Sequence, residues 1–226
     1  MMHNNRIIAN FTFIVLCAIS ISTKSFAEPP NIHNLRLSLI SYHDSGEYLK
    51  DISKVADEAK TYILQQIKDN AQSNNSKKLA IVLDVDETSL SYYDKMVKRN
   101  FCYNPKKSHE EILTASAPAI EPILKVYQTA INNNIAVFFV TARTSYAHLA
   151  TARNLKHAGY NKWSKLYLRT KNYKKGSIAN FKTKMREIIT HNGYTIIASI
   201  GDQESDLEGG FAQKTFKLPN PYYYIS

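Results

Sequence analysis

Cysteine is nearly absent from this 226-residue chain, which has two, Cys17 and Cys102. Cys17 lies in an N-terminal stretch that reads as a removable leader. What remains after its removal holds one thiol and cannot close an internal disulfide. Packing must hold the fold together. Acidic residues are missing before Glu28; Arg6 precedes a mostly apolar run from Ile7 to Ile21, and Ser25-Phe26-Ala27 sets small residues at −3 and −1. That pattern predicts a secretory signal peptide over residues 1–27, a mature domain over 28–226, and a periplasmic or secreted destination. The apolar run is short and carries Asn10 and several hydroxyls, so no stable membrane insertion is expected after cleavage. Leu16 stands before Cys17 where lipidation calls for a small residue, and no lipid anchor is expected either.

Internal repeats, low-complexity tracts and nucleic-acid motifs are missing too. The net charge of +10 comes from lysines and arginines spread along the chain. That dispersal excludes nucleic acid as the expected partner and favours small anionic molecules. Hydrophobic content of 44% and charged content of 21% are ordinary for a packed globular domain, which excludes disorder. The length suits one domain with a small insertion. His109, His148, His157 and His191 show no metal-ligand spacing with one another.

What is present begins with Leu79-Ala80-Ile81-Val82-Leu83-Asp84-Val85-Asp86-Glu87-Thr88. The five apolar residues predict a strand, 79–85, buried on both faces. It delivers two carboxylates at its C-terminal end, where open α/β sheets bind ligands. A pleat of period two would point Asp84 and Asp86 to one side, where a hard cation or a shared proton must offset their repulsion.

Around this strand the spacing predicts helix over 31–72 and a polar loop over 72–78. Residues 89–117 lack a strong period and read as a small, mainly helical cap. Helix follows over 118–132, then a buried strand, 135–140, ending at Thr141. A helix over 145–158 closes at Gly159, and a short strand spans 166–169. Helix 177–192 leads to strand 195–200 and Asp202, and a last strand covers 215–218. Strands alternating with helices predict an α/β fold, a parallel sheet with helices on both faces.

Three strand ends then carry Asp84 and Asp86, Thr141, and Asp202 with Asp206, and an intervening helix offers Lys182. The set meets the needs of phosphoryl transfer through an aspartyl-phosphate. It contains a carboxylate nucleophile, a second acid, oxygen ligands for a metal, and a lysine and a hydroxyl for the phosphoryl oxygens.

Asp84-Val85-Asp86-Glu87-Thr88, Val140-Thr141-Ala142-Arg143, Lys182 and Gly201-Asp202-Gln203-Glu204-Ser205-Asp206 resemble the four motifs of the haloacid dehalogenase-like (HAD) phosphatases. The Asp-x-Asp-Glu-Thr form, the block Phe181–Arg186 and the ending Phe216–Tyr223 are similar to subfamily IIIB. That subfamily comprises secreted acid phosphatases, among them bacterial lipoproteins and plant acid phosphatases and storage proteins. The resemblance implies a Rossmann-like HAD fold and a Mg²⁺-dependent acid phosphatase acting on small phosphomonoesters, nucleotides among the candidates, with an acidic optimum. It implies Asp84 as nucleophile, Asp86 as general acid/base, and Thr141 and Lys182 as phosphoryl contacts. The metal would be held by Asp84, the Asp86 main-chain carbonyl and Asp202, with Asp206 in contact or one layer out. Arg143 reads as a structural residue or a substrate contact and is not assigned between them. A phosphotransferase, a non-catalytic binding or storage protein on the same fold, and a homo-oligomer all stay open.

Overall fold

The computed structural model describes residues 28–170 and 176–225. Residues 1–31 and 32–226 form two separate units. In the first, residues 28–31 are described and contain neither helix nor strand; the leader and its cleavage site lie outside the described residues. The account below concerns the second unit.

Five strands, β1 (Lys78–Leu83), β2 (Ala136–Thr144), β3 (Lys165–Arg169), β4 (Tyr194–Gly201) and β5 (Lys214–Lys217), form one sheet in the order β3-β2-β1-β4-β5. Every pairing is parallel. The expected α/β architecture is therefore present, with β1 at the centre of the sheet. Alternation along the central strands divides the core in two. Ile81, Leu83, Val137 and Phe139 face one side with helix α2 (Glu47–Ala71) and helix α5 (Glu121–Asn132). Ala80, Val82, Phe138 and Val140 face the other side, against Phe181, Met185 and Ile189 of helix α7 (Ile178–His191). Both faces are apolar, as a sheet buried on both sides requires.

The expected helix over 31–72 is two helices, α1 (Ile32–Asp44) and α2, because Gly46 takes φ +86 between them. Gly46 has open space around its Cβ position, so backbone conformation alone selects glycine there. Residues 89–117 contain α3 (Tyr93–Lys98) and α4 (Pro105–Thr114), joined by an ion pair between Arg99 and Glu111. Asn104 caps α4 by accepting from the Lys107 amide at 3.0 Å, with Pro105 following. A short 3-10 turn over Ser145–Ala147 precedes α6 (His148–His157), where continuous helix was expected.

The largest departure is at β2. It runs three residues past Thr141, and its register against β3 shifts between Thr141 and Thr144. That extension carries Arg143 to the site.

Candidate active site

In a parallel sheet all C-terminal strand ends share one edge. Asp84 follows β1, Thr141 lies near the end of β2, and Asp202 follows β4. Across the sheet face, α7 brings Lys182 to the same edge, and a 3-10 turn, Glu204–Asp206, returns Asp206 to it. All five predicted positions outside Asp86 are nearly solvent-free: Asp84, Thr141, Lys182, Asp202 and Asp206.

Lys182 Nζ donates to Asp84 Oδ1 at 2.7 Å and also contacts Asp206 Oδ1. Burial opposes the charge on the ammonium, but the carboxylates of Asp206 and Asp84 outweigh it and raise the lysine above its usual range. Asp84 in turn is pushed well above an ordinary carboxylate, first by burial and then by Asp206, with Lys182 pulling the other way. Among the described residues no hydrogen bond reaches Asp84 Oδ2. That leaves one oxygen of the carboxylate for chemistry.

Asp202 is braced on both oxygens. Thr88 Oγ1 donates to Oδ1 at 2.9 Å; Gln203 Nε2 and Asn220 Nδ2 donate to Oδ2 at 2.6 and 2.7 Å. Burial and Asp206 push its carboxyl up, while the two amides hold it down. Asp206 Oδ2 accepts from the Gln203 amide at 2.9 Å, which with the lysine contact occupies both of its oxygens. Its closeness to the strand end explains Gly201. A Cβ there would sit 2.2 Å from the Asp206 Cβ, so no larger residue fits. Arg186, one turn beyond Lys182 on α7, donates to the carbonyls of Asp206 and Gly210 at 2.7 and 2.9 Å and holds the loop below.

Asp84, Asp202 and Asp206 can each bring one oxygen within 4.8 Å of the others. Three buried carboxylates against one lysine leave uncompensated negative charge, and their oxygens suit a hard divalent cation. No histidine or cysteine belongs to this cluster.

Asp86 does not share that cluster. The strand ends at Leu83, so the pleat argument that placed both side chains on one side fails beyond it. Past the strand the chain curls, Asp86 bridges to Leu90, and Glu87 adopts φ +47. The two carboxylates acquire separate cations. Asp84 has Lys182, and Asp86 has Arg143, whose Nη2 lies 2.8 Å from Oδ1. Thr141 Oγ1 is 3.5 Å from Asp86 Oδ2. The Arg143 guanidinium is raised above its usual range because Asp86 outweighs the burial that opposes its charge.

Sequence reasoning left several neighbours unassigned. Arg143 lies two residues after Thr141, the spacing of one strand face, so its signal existed once β2 is known to continue. Arg186 is four residues after Lys182, on the same helix face. Asn220 and Tyr223 lie in the ending that resembles subfamily IIIB, but nothing local pairs them with Asp202 and Glu87. Glu87 is buried, accepts from the Tyr92 amide at 2.5 Å and the Tyr223 hydroxyl at 3.3 Å, and is pushed up to about 8 by burial. Tyr92 and Tyr93 are both core residues; their hydroxyls go to Asn154 and to Asp44.

A covered parallel sheet whose central strand ends in a lysine-held aspartate, beside a carboxylate turn, is the frame of the HAD-like phosphatases. Residues 23–226 match the family model described as HAD superfamily, subfamily IIIB (acid phosphatase), and the chain belongs to that subfamily. It is 31% identical over 182 residues to acid phosphatase 1 of Solanum lycopersicum, covering 79% of this chain and 69% of that protein. It is 37% identical over 150 residues to the stem 28 kDa glycoprotein of Glycine max, covering 64% of this chain and 59% of that one. Among solved structures, the class C acid phosphatase from Bacillus anthracis shares the fold, with a TM-score of 0.67 at 22% identity over 85% of this chain and 86% of that one.

Proposed function

We propose that this acid phosphatase is exported, takes Mg²⁺, and hydrolyses small phosphomonoesters through an aspartyl-phosphate on Asp84. The observation that carries the reading is Asp84 itself, with Lys182 on one oxygen and no hydrogen bond among the described residues on the other, beside two further buried carboxylates. Asp84, Asp202 and the Asp86 main-chain carbonyl would hold the metal, with Asp206 next to them keeping Lys182 in place. When bound, the cation screens the approach of the carboxylate to an anionic phosphate.

The chain's own residues account for the rest. Asp84 bonds to phosphorus as the bond to the leaving oxygen breaks, and Asp86 gives that oxygen its proton. Water then attacks phosphorus and yields its proton to Asp86. The bond to Asp84 breaks, and inorganic phosphate leaves. Lys182 and the Thr141 hydroxyl hold phosphoryl oxygens while their charge redistributes.

The test is an assay of the purified protein against a panel of phosphomonoesters, nucleotides included, after chelation and after adding back Mg²⁺. Activity lost on chelation and restored by Mg²⁺ is expected. Full activity after exhaustive chelation overturns the metal assignment. Phosphate binding without turnover of any substrate makes the chain a binding protein on this fold.

A further inference from the structure

Asp86 has a more elaborate setting than the rest of the site requires. Its carboxylate is partly exposed, with 29% of the side chain open, and directly behind it lies the Arg143 guanidinium at 2%. Arg143 Nε reaches both carboxylate oxygens, at 3.2 and 3.0 Å, and Nη2 reaches Oδ1 at 2.8 Å. This is the fork geometry that fixes a carboxylate in direction as well as position.

The guanidinium is itself braced from two other elements. Nη1 donates to Thr151 Oγ1 of α6 at 3.0 Å, and Nη2 also donates to the Tyr92 hydroxyl at 3.0 Å, ahead of α3. Its carbon lies 5.3 Å from the centre of the Tyr92 ring. The Arg143 amide donates to Thr141 Oγ1 at 3.2 Å, which ties the same unit to the phosphoryl-side hydroxyl. Partners for Nε, Nη1 and both hydrogens of Nη2 engage most of the group's five N–H donors. An arginine committed in this way is poorly placed to receive a phosphate.

We infer that Arg143 is a positioning residue, which aims the Asp86 carboxyl at the leaving oxygen and, in the second half-reaction, at the attacking water. The inference rests on the assignment of Asp86 as the acid/base group. A carboxyl misaimed by an ångström still fills its place but transfers its proton poorly. The defect should therefore appear where protonation matters most, with poor leaving groups.

Asp86→Asn, Arg143→Lys and the double variant should be compared on phosphate esters from p-nitrophenyl to simple alkyl. Arg143→Lys keeps the charge and gives up the fork. Its kcat/KM should fall about 100-fold on alkyl phosphates and less than about 10-fold on p-nitrophenyl phosphate, the range general acid catalysis spans. Asp86→Asn should show the same dependence on leaving group. Adding Arg143→Lys to Asp86→Asn should then cost less than about 3-fold more, because the two act as one unit. Tyr92→Phe and Thr151→Val each remove one brace with little change of shape and should show a weaker form of the pattern. They decide the matter if Arg143→Lys does not fold.

An equal loss on every ester, carried by KM, would make Arg143 a direct phosphate contact and overturn the inference. Additive losses in the double variant would do the same. A flat leaving-group dependence in Asp86→Asn would remove Asp86 from the acid/base role. A steep one there with a flat one in Arg143→Lys would defeat the positioning role alone.

Discussion

At Asp84, reactivity and stability pull against each other. Burial and two neighbouring carboxylates make its charge costly, and one lysine offsets only part of that cost. Asp84→Asn is nearly isosteric and removes one of the clustered charges. It should lower turnover by roughly 10⁴-fold or more, while the metal-free variant melts at a higher temperature than the metal-free parent. Paired activity and melting measurements check this; near-native turnover in a folded variant would end the nucleophile assignment. Gly201 tests the opposite kind of dependence, on space alone. Its missing side chain admits Asp206, so Gly201→Ala must displace that carboxylate or the strand end. The expected cost is about 1–3 kcal/mol, the usual penalty for overpacking, and denaturant unfolding would read it.

At the scale of elements, the site depends on segments distant in the chain. Residues 219–225 follow β5, and from them Asn220 donates to Asp202. Gln203 links the same tail twice, accepting from the Ile225 amide at 2.9 Å and reaching the Tyr223 carbonyl at 3.4 Å. Tyr223 then joins the tail to Glu87. The tail therefore orients a carboxylate that would bind metal, and partners of this kind commonly govern affinity by 10–100-fold. Asn220→Leu should weaken Mg²⁺ binding by about that factor in calorimetric titration of the metal-free protein. Unchanged affinity would reduce the tail to a packing element. Helix α7 works similarly from the other face, since one turn separates Lys182, on the carboxylates, from Arg186, on the carbonyls of the loop beneath them.

For the whole molecule, the edge of the sheet concentrates acid in a basic protein, and stability should follow. Asp84, Asp202 and Glu87 all hold their protons to higher pH folded than unfolded, burial being the first cause in each. Above the ordinary carboxylate range, and up to about 8 for Glu87, these groups bind more protons in the folded state than in the unfolded chain. Their contribution is therefore full in acid and is lost as pH rises through that window. In chelator the protein should melt roughly 10 °C lower at pH 8 than at pH 5, and saturating Mg²⁺ should remove most of the difference. A chelated protein more stable at pH 8 would contradict the buried cluster. Much of this molecule was legible in the chain itself. Apolar runs of strand length alternating with helical spacing determined a covered parallel sheet, and aspartates placed just after β1 and β4 determined which edge would carry the chemistry. These are local patterns, which neighbouring residues suffice to express. The break at Gly46, the continuation of β2 past Thr141 and the partners of each carboxylate were decided only in three dimensions. Arg143 meets Asp86 across 57 positions and Thr88 meets Asp202 across 114, and only the packed sheet brings such residues within hydrogen-bonding distance.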